Sequence, residues 1–206
     1  MAKLYFKYGV MGSSKSANAL MTRFNYMERG CNVLLIKPSI DTRDYEVDKS
    51  GVKHAVVHSR IGLSAPVDVV NSSDSILALL EKRREKTEIN VIIVDECQFL
   101  SEEQVEHLRY VASYFDIPCL CFGLRTDFQT RLFPGSRRLM ELADTIDEVK
   151  HICSCMDKSL VNARMDAFGN IITKGAQVDI GGDEKYEAMC WRCWNDKINA
   201  QIEVEF

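Results

Sequence analysis

The sequence predicts an α/β fold in which a mostly parallel sheet is covered by helices. Three observations carry this. Apolar runs of strand type alternate with stretches of helical spacing, and the first such strand enters a helix through a turn of small residues. Near residue 150 the alternation gives way to paired cysteines and short β-like runs. Two domains follow, a large one over 1–150 and a small, β-rich, zinc-ribbon-like one over 151–206.

Lys3–Tyr8 reads as the first strand. Ser16–Arg29 reads as a helix with Ala17, Leu20, Met21, Phe24 and Met27 near one face, ended by Gly30. Val33–Ile36 is a buried-type strand closed by Pro38. A polar stretch, Asp41–Ser50, leads to a β-like run at His54–His58, and Ser73–Lys86 has helical spacing through Ile76, Leu79 and Leu80. Val91–Val94 is a strand of four β-favouring residues ending in Asp95-Glu96. Ser101 with Gln104 three residues on forms a capping box for a helix over Ser101–Ser113, and Pro118–Gly123 is a further strand. Ser136–Asp144 is helix-like. In a sheet of this kind, ligands sit at the carboxyl ends of the strands.

The 206 residues, 46% of them hydrophobic, suffice for one core and a modest appendage. A net charge of −4 excludes the broad basic face on which non-specific nucleic-acid binding relies. Lys82-Arg83-Arg84 reads as a solvated helix face. No segment approaches the roughly 18–20 apolar residues of a membrane span, and MAKLYFKYG has no apolar stretch behind a basic start. A cytoplasmic protein without membrane or nucleic-acid partners is expected. Eight cysteines, several within apolar runs, then belong to a reducing compartment as core thiols or metal ligands.

Gly9-Val10-Met11-Gly12-Ser13-Ser14-Lys15-Ser16 lies between strand and helix, where a GxxxxGK[ST] motif acquires its meaning. Backbone N–H groups there wrap phosphates and the helix N-terminus adds its dipole, making this a P-loop NTPase-type domain. Lys15 would reach the β- and γ-phosphates of ATP, and Ser16 would ligate Mg2+. Ser14 stands where the second glycine belongs, and an ordinary polar turn is the alternative. Asp95 suits the role of holding magnesium, and Glu96 that of a general base in phosphoryl transfer. Taken alone, the pair would as readily end a strand and favour the next helix. Asp41 and Arg43 follow the second strand, Arg43 as a phosphate clamp, with a solvated loop the alternative.

Cys153-x-Cys155 and Cys190-x-x-Cys193 form two short pairs that suit a closed four-cysteine site holding structural Zn2+. His151 lies near the first pair, but four cysteines complete the set. Cys31, Cys97, Cys119 and Cys121 read as small hydrophobes.

Together, GVMGSSKS, DTRDY at Asp41–Tyr45, DECQF at Asp95–Phe99, LRTDF at Leu124–Phe128, the cysteine pairs and IGGDEKY at Ile180–Tyr186 resemble the type II, zinc-containing thymidine kinases over nearly the whole chain. The resemblance implies transfer of the γ-phosphoryl group of ATP to the 5′-hydroxyl of thymidine. It implies ATP contacts at Gly9–Ser16 and at Asp95, Glu96, Cys97 and Gln98, with Glu96 as the base. It further implies a lasso between the cysteine pairs that closes over thymine through main-chain groups. Met11, Phe99, Leu124 and Phe128 match the base pocket, Asn162 and Gln177 match lasso positions, and Tyr186 matches the sugar-side tyrosine. A homotetramer inhibited by thymidine triphosphate is also implied. CxC in place of CxxC, and Arg125-Thr126 within LRTDF, depart from the family pattern. Two other readings stay open on residues alone: a zinc-containing ATP sensor, and a kinase for another deoxynucleoside.

Overall fold

The computed structural model describes residues 1–40, 45–47, 51, 53–178 and 185–204. Asp41, Arg43 and most of IGGDEKY lie outside the described residues. In chain order the elements begin with β1 (Leu4–Tyr8), α1 (Lys15–Glu28), β2 (Val33–Pro38), β3 (Tyr45–Val47), β4 (Lys53–His58), β5 (Ser64–Pro66), β6 (Asp68–Val70) and α2 (Ile76–Arg84). They continue with β7 (Val91–Val94), a single 3-10 turn (Cys97–Phe99), α3 (Glu102–Tyr114), β8 (Cys119–Gly123), α4 (Pro134–Leu142), β9 (Thr145–Glu148), β10 (Val161–Arg164), β11 (Tyr186–Met189) and α5 (Trp191–Val204).

Six strands form the main sheet in the order β6-β2-β7-β8-β1-β9, and every pairing in it is parallel. Parallel neighbours need long crossovers, which the helices supply. Because side chains alternate across a strand, each strand feeds two cores. Leu4, Phe6, Leu34, Ile36, Ile92 and Val94 pack on one face with Ile76 and Leu80 of α2, Val105, Leu108 and Val111 of α3, and Leu139 of α4. Leu35, Val91, Ile93, Leu120 and Phe122 pack on the other with Ala19 and Leu20 of α1 and with Val57 and Ala65 of a small antiparallel sheet, β3-β4-β5. A third cluster gathers Cys153, Ala163, Ile171, Met189 and Cys190 around the antiparallel β10-β11 pair.

The capping box at Ser101 is present: its hydroxyl accepts from Gln104 N at 3.2 Å, and Gln104 Oε1 accepts from Ser101 N at 3.1 Å. Gln104 also donates to the carbonyls of Asn71 and Asp74, tying α3 to the loop before α2. Helix α2 begins at Ile76 because Ser75, not Ser73, caps it, its hydroxyl accepting from Ala78 N.

Two features depart from expectation. On α1 the buried residues are Lys15, Ala17, Ala19 and Leu20, while Met21, Phe24 and Met27 are 44%, 58% and 47% exposed. Lys15 at the first turn must face the sheet edge, and that fixes the rotation of the helix. Strand β9, with the sequence TIDE, completes the sheet as an edge strand beside β1. Its polar residues give no apolar alternation to read. Among the described residues no helix is long and apolar enough to cross a membrane.

Candidate active site

The carboxyl ends of β1, β7 and β8 share one edge of the sheet, and the chain leaves them through Gly9–Ser14, Asp95-Glu96 and Gly123-Leu124. Gly9 N donates to Gly123 O at 3.2 Å, closing the first turn against the end of β8. A Cβ on Gly9 would lie 2.4 Å from Ser13 Oγ and 2.5 Å from Val149 O, so only glycine permits this fold of the turn. Ser14 adopts φ 63°, the left-handed conformation that the missing glycine would have favoured, and from there α1 begins.

Lys15 is 8% exposed, and its ammonium donates to Val10 O at 2.8 Å and reaches Ser13 Oγ at 3.5 Å. Burial lowers its pKa, opposed by the negative charges of Glu96 and Asp95. Asp95 is 3% exposed, and burial, with Glu96 beside it, raises its carboxyl pKa to about 7 against the pull of the Ser16 hydroxyl and Lys15. Its Oδ1 is buried without a hydrogen-bond partner. A lysine, a serine hydroxyl and two carboxylates thus meet where two strands end.

Glu96 lies at φ 52° in the left-handed region and opens the 3-10 turn. Gln98, 1% exposed, donates to Glu96 Oε2 at 2.6 Å and accepts from Leu124 N at 2.9 Å. Cys97 is fully buried and its thiol is pushed well up by burial, so it packs as an apolar group. Phe99 meets Phe133 edge-on at 5.6 Å, and Phe128, 2% exposed, lies under the Arg164 guanidinium at 5.2 Å.

Asn162 accepts from Met11 N at 2.7 Å and donates to Thr126 O at 3.0 Å. Gln177 donates to Asp127 Oδ2 at 2.8 Å, and Asp127 Oδ1 accepts from the backbone N–H groups of Gln129 and Arg131. Tyr186 is half-buried at the start of β11. Three further residues join this edge, Asp127 from the LRTDF segment and two that no motif marks. Asp127 organises the Leu124–Leu132 loop. Arg60 and His151 both flank Gly12, their nitrogens lying 3.4 and 3.5 Å from where a Cβ there would stand. His151 Nδ1 lies 3.3 Å from Ser159 Oγ, and among the described residues the four-cysteine group gathers without it. Only folding brings Arg60 and His151 to the site, and no local spacing announces them.

The sulfur atoms of Cys153, Cys155, Cys190 and Cys193 all lie within 4.8 Å of one another, with Cys155 and Cys190 3.5 Å apart. Tetrahedral zinc–thiolate geometry requires S···S separations of about 3.8 Å. This four-cysteine group can hold a metal ion, and its geometry and donor chemistry fit structural zinc. Burial pushes the Cys153 thiol up, but N–H groups of Cys155 and Cys190 bring it down to about 6. Hydrogen bonds to Cys155 and Cys190 push the Cys193 thiol up to about 12, so without a metal the sulfurs share protons that an ion would displace.

Comparison with known proteins converges with this geometry. A family model described as thymidine kinase matches residues 2–194. The chain belongs to the thymidine kinase family. It is 43% identical to a thymidine kinase of Shewanella oneidensis over 96% of this chain and 99% of that one. It is 42% identical to a thymidine kinase of Zymomonas mobilis over 97% of this chain and 100% of that one. A thymidine kinase of Rhodopirellula baltica is 40% identical over 100% of this chain and 93% of its own length. The thymidine kinase match spans both the β1–α1 turn and the cysteine cluster.

Proposed function

We propose that this protein is a thymidine kinase in the full chemical sense, transferring the γ-phosphoryl group of ATP to the 5′-hydroxyl of thymidine to give dTMP and ADP in nucleotide salvage. Family membership supports the substrates. The observation that carries the mechanism is the meeting of buried Lys15 with Asp95 and Glu96 at one sheet edge.

In this reading Gly9–Ser16 is a P-loop, with backbone N–H groups and Lys15 holding the β- and γ-phosphates. Asp95 and Ser16 are the residues that would hold Mg2+, a fit supported by the orphaned Asp95 Oδ1. Bound there, the cation offsets charge on the transferring group. Glu96 takes the 5′-hydroxyl proton, a contribution typically worth about 10²–10⁴-fold. Cys97 and Gln98 complete the segment against ATP, and Asp41 and Arg43 are assigned to the same cleft.

Met11, Phe99, Leu124 and Phe128 are assigned to the thymine pocket, with Asn162, Gln177 and Tyr186 on the lasso side. Main-chain recognition of the Watson–Crick edge would be strict, because an amino group in place of a carbonyl leaves buried partners unpaired. We assign residues 1–150 to the nucleotide domain and 151–206 to a zinc-ribbon-like lasso domain, supported by the separate apolar cluster around β10-β11. The metal is structural Zn2+, since four cysteines leave no open coordination position. A cytoplasmic homotetramer inhibited by thymidine triphosphate completes the reading, and the exposed Met21, Phe24 and Met27 stripe on α1 is surface suited to subunit contact.

The test is phosphorylation of each of the four deoxynucleosides by the purified protein with ATP and magnesium, alongside Glu96→Gln. Thymidine is expected to be the preferred acceptor, and Glu96→Gln to lose turnover while retaining ATP. Equal rates on deoxycytidine, or an unimpaired variant, would overturn the assignment.

A further inference from the structure

Gln98 is a buried amide whose two ends are both committed, one of them to the Glu96 carboxylate. It is 1% exposed, its Oε1 accepts from Leu124 N at 2.9 Å, and its Nε2 donates to Glu96 Oε2 at 2.6 Å. The orientation of the amide is not arbitrary. The Leu124 N–H can only donate, so the oxygen must face it, and the nitrogen is therefore turned on the carboxylate.

The surroundings hold that amide in place. A Cβ on Gly123 would lie 2.5 Å from Gln98 Oε1 and 2.7 Å from Cys97 Sγ, so the end of β8 must be glycine for the side chain to fit. Gly135, at the start of α4, would collide with the carbonyls of Cys97, Leu100 and Gln98 at 2.7, 2.7 and 3.0 Å if it carried a Cβ, so the helix presses on the 3-10 turn. Ser136 Oγ donates to Leu124 O at 2.6 Å and holds the other backbone group of the same residue. Glu96 itself sits in the left-handed region at φ 52°, a conformation that a non-glycine residue keeps only when its neighbours impose it.

We propose that Gln98 is the positioning residue of this site: its amide fixes the rotation of the Glu96 carboxylate and ties it to Leu124, where the nucleoside loop begins. The inference rests on the reading of Glu96 as general base. It gives Gln98 a role inside the protein in addition to its assigned place in the ATP segment. A general base works only within hydrogen-bond reach of its proton, and a displacement of about 1 Å costs on the order of 10²-fold. A hydrogen bond from a rigid buried amide removes that freedom before substrate arrives.

Two substitutions separate this role from a purely structural one. Gln98→Met removes both hydrogen bonds, whereas Gln98→Glu keeps an acceptor for Leu124 N but replaces the donor facing Glu96 by a second carboxylate oxygen. Both variants are expected to lose about 10- to 100-fold in kcat, a larger factor than any change in KM for thymidine. In a Glu96→Gln background, Gln98→Met is expected to change the residual rate by less than about twofold, because the group it positions is gone. Near-normal kcat in Gln98→Glu would overturn the proposal. So would a full additive loss in the double variant.

A measurement on the unsubstituted protein does not depend on either variant folding. The side-chain amide protons of Gln98, observed by 15N NMR, should be protected from exchange, and Glu96→Ala should release them. Rapid exchange in the unsubstituted protein would also overturn the proposal. Normal turnover in Glu96→Gln would instead refute the general-base reading, whereas an impaired Glu96→Gln with unimpaired Gln98 variants would refute only the positioning role.

Discussion

Asn162 Oδ1 accepts the backbone N–H of Met11 at 2.7 Å, so β10 grips the turn between β1 and α1 from 151 residues away. The same amide donates to Thr126 O at 3.0 Å, and Asn162 is 2% exposed. Asn162→Leu strands two backbone groups and is expected to destabilise the protein by about 1–3 kcal/mol. Thermal melting checks the loss, and ATP titration should show a weaker KM. Asn162→Asp, which keeps the acceptor for Met11, should fall between the two.

Ser14 holds φ 63° without glycine's freedom. Ser14→Gly relieves that strain and is expected to stabilise the fold by roughly 0.5–1.5 kcal/mol with turnover retained. A lowered melting temperature would show that the serine side chain contributes more than its backbone costs.

Lys15 places a buried ammonium against Val10 O and near two carboxylates. Lys15→Ala is expected to reduce turnover by about 10²-fold or more by removing positive charge from the proposed phosphate cradle. Activity close to that of the unsubstituted protein would reject the role.

Asp95 carries a pKa raised from 3.8 to about 7 by burial. Between those values the folded state binds a proton that the unfolded state has released, so stability falls as pH rises through that window. Each unit of pH there is worth at most about 1.4 kcal/mol. In chelator-treated protein, Asp95→Asn should therefore be more stable than the parent at pH 8, with the gap closing towards pH 4. Urea denaturation across that range measures it, and a constant gap would contradict the raised pKa.

Cys190 is buried and its sulfur lies 3.5 Å from that of Cys155. Cys190→Ser is expected to lose zinc and to loosen the β10-β11 unit together, because metal binding and local folding are one equilibrium. Elemental analysis and limited proteolysis check both, and unchanged zinc content would exclude the site.

The strands that fill the sheet centre were legible because Val91–Val94 and Cys119–Gly123 are buried along their whole length, leaving continuous apolar runs. The β1–α1 turn and the cysteine pairs were legible because their chemistry dictates local spacing. Strand β9 was not, since an edge strand of mixed polarity carries no period. The rotation of α1 was misread for a different reason. The apolar stripe predicted a face through Met21, Phe24 and Met27, but Lys15 commits the first turn to the sheet edge and leaves those side chains outside. The partners of Gln98, Asn162 and Gln177 depend on residues 26 to 151 positions away or on a left-handed backbone, and neither is written in a local pattern.

Strand β1 precedes both of its neighbours in the sheet by a long stretch of chain, since β8 begins at Cys119 and β9 at Thr145. Nascent chains that stop short of β8 lack the partner against which the Gly9–Ser14 turn closes, so this segment matures well after it is synthesised. Vectorial synthesis therefore delivers an emerging polypeptide that stays inert towards nucleotide until β8 has left the exit tunnel.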